Sequence, residues 1–66
     1  MGDSWIVKVD DETGPLYLYE NDVMPVLVQR PEDAATFTNA AARRALAKLG
    51  YSNARAVRRH EELRKS

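Results

Sequence analysis

The chain has no cysteine, a single histidine and only three glycines in 66 residues. The missing thiols exclude a disulfide framework, and with one histidine there is no nitrogen and sulfur set to hold zinc and no Cys/His nucleophilic pair. Gly2, Gly14 and Gly50 are too scattered to cradle a phosphate; they read as terminus, turn and helix stop. His60 sits between arginines and glutamates and reads as a solvated side chain. Asp3, Asp10, Asp11 and Glu12 lack the spacing of a calcium loop and read as turn acids. Long apolar runs are missing too. The uncharged stretch from Val23 to Gln29 falls far short of the roughly 20 residues a membrane span needs. No apolar core follows a basic N-terminus as in a signal peptide. These absences lead to the expectation of a soluble, cytoplasmic protein that is not an enzyme and uses no cofactor, metal or membrane.

Small size narrows the field further. Below about 70–80 residues a single core supplies only roughly 3–5 kcal/mol, so docking on a partner or on a second copy is expected to matter. Ten basic and ten acidic residues give zero net charge, but the signs are segregated. Residues 1–37 carry eight acids against Lys8 and Arg30, and residues 38–66 carry eight bases against Glu61 and Glu62. Either the halves attract each other in the fold, or a basic end is left to meet an acidic partner.

The order of elements is legible from local chemistry. Trp5-Ile6-Val7-Lys8-Val9 and Leu16-Tyr17-Leu18-Tyr19 are β-branched and aromatic runs flanking the turn residues Asp11-Glu12-Thr13-Gly14. A four-residue loop gives a hairpin in which Val9 faces Leu16, Val7 faces Leu18 and Trp5 faces Glu20. Lys8 with Tyr17 and Ile6 with Tyr19 then lie on the opposite side. Pro15 suits the first position of an edge strand. Pro25 to Gln29 reads as a short third strand, and Arg30 to Ala35 as a turn.

Thr38 as N-cap and Gly50 as C′ residue predict a helix over 39–49, with Phe37 stapling back on Ala42. Its buried stripe is Ala42, Ala45, Leu46 and Leu49. For residues 52–66 a strand and a helix both fit; a strand around Ala54 to Arg59 is preferred, followed by a frayed charged tail over 61–66. The expectation is one α+β domain over 1–60, with order β-β-β-α-β and a three- or four-stranded antiparallel sheet carrying one helix.

Two surfaces are candidates for function. The sheet face opposite the helix carries Ile6, Lys8, Tyr17 and Tyr19, and aromatic side chains of this kind are enriched at protein contacts. It would take a larger protein or a second copy in a homodimer, unless the connection or the tail covers it. The other is the basic set Arg43, Arg44, Lys48, Arg55, Arg58 and Arg59, suited to an acidic partner or to nucleic-acid phosphates. The run Ala35-Thr36-Phe37-Thr38, the alanine-rich helix and its end at Lys48-Leu49-Gly50-Tyr51, after a hairpin at Trp5 to Tyr19, resemble very small proteins encoded by bacteriophages and prophages. That group includes host-takeover proteins and inhibitors of bacterial defence, among them anti-CRISPR proteins. The resemblance, over residues 5–51, implies an inhibitor that occludes a surface of a larger host complex. The alternative is a small nucleic-acid-binding protein.

Overall fold

A computed structural model describes residues 4–65. Four strands, β1 (Trp5–Asp11), β2 (Gly14–Asn21), β3 (Pro25–Val28) and β4 (Ala54–Arg58), form one antiparallel sheet in the order β3-β2-β1-β4. Helix α1 (Asn39–Leu49) lies between β3 and β4 in the chain, and a second helix, α2 (Arg59–Lys65), follows β4 directly. The α+β class is as expected from the sequence. The expected frayed tail is instead α2, and Glu62 within it is 4% exposed. Asp3 and Ser66 lie outside the described residues.

Both faces of the sheet are apolar, and each has its own cover. On one side Val7, Val9 and Leu18 pack with Ala42 and Leu49 of α1, joined by Trp5, Leu16, Leu27, Phe37, Ala54 and Ala56. On the other, Ile6 and Tyr17 pack with Ala34, Val28 and Val57, and α2 lies against the 3-10 turn Pro31–Asp33. Alanines on α1 allow close approach to the sheet, and the strands supply the bulk.

The hairpin has the expected register near its turn, with Lys8 opposite Tyr17 and Val9 opposite Leu16. Its loop is shorter than expected, because Asp11 and Gly14 still pair and only Glu12 and Thr13 turn. Asp11 closes the turn by accepting from the Thr13 hydroxyl at 2.7 Å, and that bond holds its carboxyl below the usual range. Pro15 sits on an inner strand rather than an edge. It is tolerated there because the β2–β3 ladder starts only at Tyr17 opposite Val28, so no neighbour needs its missing N–H.

Past Lys8 and Tyr17 the hairpin strands part, and the expected facing of Trp5 with Glu20 is replaced. Phe37 pairs with Trp5 through two reciprocal bonds of 2.8 and 2.7 Å, while Ala35 N–H donates to the Leu18 carbonyl at 3.1 Å. The connection thus passes from the α2 side, where Ala34 is buried, to the α1 side through the open end of the hairpin. Phe37 is therefore strand partner, core residue and neighbour of the cap at once.

The cap and stop of α1 are as expected. Thr38 Oγ1 accepts from the Ala41 N–H at 3.2 Å, and Gly50 adopts φ 71° and donates to the Leu46 carbonyl. A Cβ at Gly50 would meet nothing within 4 Å, so the strain of a substitution lies in the backbone alone. Gly50→Ala is accordingly expected to cost about 1 kcal/mol, a fall of roughly 4–8 °C in Tm for a domain this small, measurable by thermal unfolding.

Candidate functional site

The expected docking face of Ile6, Lys8, Tyr17 and Tyr19 is not an open surface. Ile6 is fully buried and Tyr17 is 4% exposed, both beneath the molecule's own connection and second helix. Lys8 extends its ammonium to 3.0 Å from Glu62 Oε1, and the Tyr17 hydroxyl donates to the same oxygen at 3.0 Å. One lysine, one glutamate and one tyrosine thus make a buried polar cluster that ties α2 to the sheet. Burial, followed by the bond to Glu62, pushes the Tyr17 hydroxyl up to about 12. Glu62 escaped the sequence reading, although a lysine inside an apolar strand signals that a carboxylate must reach it from elsewhere.

Tyr19 leaves that face because of a bulge. Leu18 faces Leu27 and Glu20 faces Val26, so Tyr19 is the extra residue of β2 and its side chain is re-aimed. It is 54% exposed and lines a groove on the α1 side of the sheet.

This groove, about 300 Å³ and open to solvent, runs between α1 and the last residues of β2. Ala35, Phe37 and Ala45 supply its apolar part. Arg44 and Lys48, one helical turn apart on α1, supply cations, with Glu20 in the opposing wall. Neither cation forms an ion pair among the described residues. Asn21 also lines the groove, and its Nδ2 is shielded from water without a hydrogen-bond partner among the described residues. An unpaired buried donor costs about 1–3 kcal/mol. Beside the groove, the turn into β3 exposes Val23 at 94% and Met24 at 68%, with Val26 half-exposed on the edge strand.

The basic residues do not gather into one patch. Arg43, Arg44 and Lys48 project from α1, whereas Arg55 and Arg58 point to opposite faces of β4, opposite Lys8 and Trp5. Arg55 lies 4.0 Å from Asp10 in an exposed pair, and the Arg58 guanidinium sits 5.6 Å from the centre of the Trp5 ring. Arg59 is half-buried, and its N–H donates to the Ser4 carbonyl as α2 begins. Among the described residues no helix is long and apolar enough to cross a membrane. No protein-family model, curated protein or solved structure matches the chain.

Two outcomes follow from the buried cluster. Glu62→Ala leaves the Lys8 ammonium without its carboxylate and is expected to cost about 3 kcal/mol in denaturant unfolding, whereas Lys8→Met, Tyr17→Phe and Glu62→Leu together should fall much closer to the parent. Because the folded state holds the Tyr17 proton more tightly than the unfolded chain, its contribution is complete below pH 10 and declines as pH rises toward about 12. Tyr17→Phe should flatten that alkaline decline in a stability–pH profile.

Proposed function

We propose that this chain is a non-catalytic protein-binding module that acts in the cytoplasm by occupying a surface of a larger protein. Its contact surface is the corner formed by Tyr19, the turn bearing Val23 and Met24, and Val26 of β3, together with the adjoining groove. The observation that carries this reading is the location of the exposed apolar side chains. Two helices cover both sheet faces, yet Val23 at 94% and Met24 at 68% exposure stand in solvent within a few residues of Tyr19 and Val26. Single exposed apolar residues are ordinary, but four of them within residues 19–26, one lining the groove, favour a contact site. The narrower form of the reading, a phage-type protein that occludes a host defence complex, is supported by the hairpin-plus-helix resemblance. Nucleic-acid binding has less support, because Arg55, Arg58 and Arg59 are divided between faces and partners.

Val23→Ser with Met24→Ser tests the corner, since both side chains are too exposed for the change to alter Tm appreciably. A protein retained from a host lysate by the parent chain should be lost from the variant. Equal retention by both removes the corner as the contact surface. Loss of a self-associated dimer instead, seen by light scattering, would make a second copy the occupant.

A further inference from the structure

Resting on the protein-binding reading, we propose that the groove between α1 and the end of β2 receives an acidic peptide segment of the partner, in which a large apolar side chain stands next to an aspartate or glutamate. The apolar residue enters over Phe37 and Ala45, and its neighbouring carboxylate meets Arg44 and Lys48.

The argument is one of complementarity. The groove offers two unlike features side by side: an apolar floor from Ala35, Phe37 and Ala45, and a pair of cations without ion-pair partners among the described residues. An apolar occupant would satisfy only the floor, and a free inorganic anion only the cations. Helix α1 carries Arg43, Arg44 and Lys48 with no acid, so its side of the groove is uniformly positive. Glu20 in the opposing wall repels a carboxylate and so fixes its direction toward α1. The occupant therefore presents an apolar side chain and a carboxylate together, which an acidic peptide does and an isolated anion does not. The groove also borders the exposed corner through Tyr19, so one partner can cover both.

The test is an NMR titration of the full chain with two blocked dipeptides, acetyl-Phe-Glu-amide and acetyl-Phe-Gln-amide, and with a short oligothymidylate. The acidic dipeptide should give saturable shifts at the amides of Ala35, Phe37 and Ala45 and bind about threefold more tightly than the neutral one, the range an exposed ion pair supplies. Arg44→Gln with Lys48→Gln, both on the exposed side of α1, should erase that preference while the fold persists. Glu20→Gln should strengthen binding of the acidic dipeptide. Absence of saturable shifts, equal affinity for the two dipeptides, or a preference that survives loss of both cations overturns the proposal. Tighter binding of the oligothymidylate at the same residues overturns it in favour of phosphate recognition. The corner variant leaves Arg44 and Lys48 in place, so unchanged lysate retention by that variant removes the corner as contact surface and not the groove, whereas no retention by the parent chain counts against the protein-binding reading itself.

Discussion

The shape of this protein depends on one buried charge meeting its partner. Lys8 lies between the buried Val7 and Val9 on an inner strand of the sheet, where an unpaired ammonium would be heavily penalised. Glu62 supplies the carboxylate, and Tyr17 adds a hydroxyl to the same oxygen. Seven residues of helix have little stability of their own, so α2 exists because this cluster and its packing against the Pro31–Asp33 turn and β4 hold it down. Once α2 is in place, the second sheet face is closed.

The same arrangement explains why the segregated charges along the chain do not cancel as contacts. The buried pair joins the minority signs, a lysine from the acidic half and a glutamate from the basic half. Of the expected attraction between majority signs, Arg55 and Asp10 make an exposed pair at 4.0 Å, which is worth little in water. Arg44 and Lys48 of α1 stay along the groove, and the polarity read from composition persists as a surface property.

Much of the fold was legible because it rests on local chemistry. The hairpin register near the turn follows from strand alternation, and the ends of α1 follow from Thr38 and Gly50. What was not legible depends on contacts distant in sequence. The insertion of Ala35 to Phe37 between the hairpin ends rests on bonds to Trp5 and Leu18, and no local pattern announces it. The bulge that turns Tyr19 away from Tyr17 is set by a neighbouring strand. The second helix has too few apolar residues to be recognised by periodicity, and its stabilising residue is a glutamate whose partner lies 54 positions earlier. Of the two readings left open for the face around Ile6, a docking surface and one covered by the connection or the tail, the structure has the covered one. The groove was missed for a related reason: its residues come from β2, the connection and α1, and only folding brings them together.

The strand order has a consequence for how the molecule is made. Strand β1 is an interior strand, but one of its two neighbours, β4, is synthesised only after β2, β3 and α1. A nascent chain that has reached Gly50 can form the hairpin and cap its first helix, yet it still shows a bare strand margin and the uncovered surface around Ile6. Such a species pairs readily with other unfinished chains. Completion of the sheet thus waits until β4 and α2 have followed the first helix, although the hairpin and α1 can form before them.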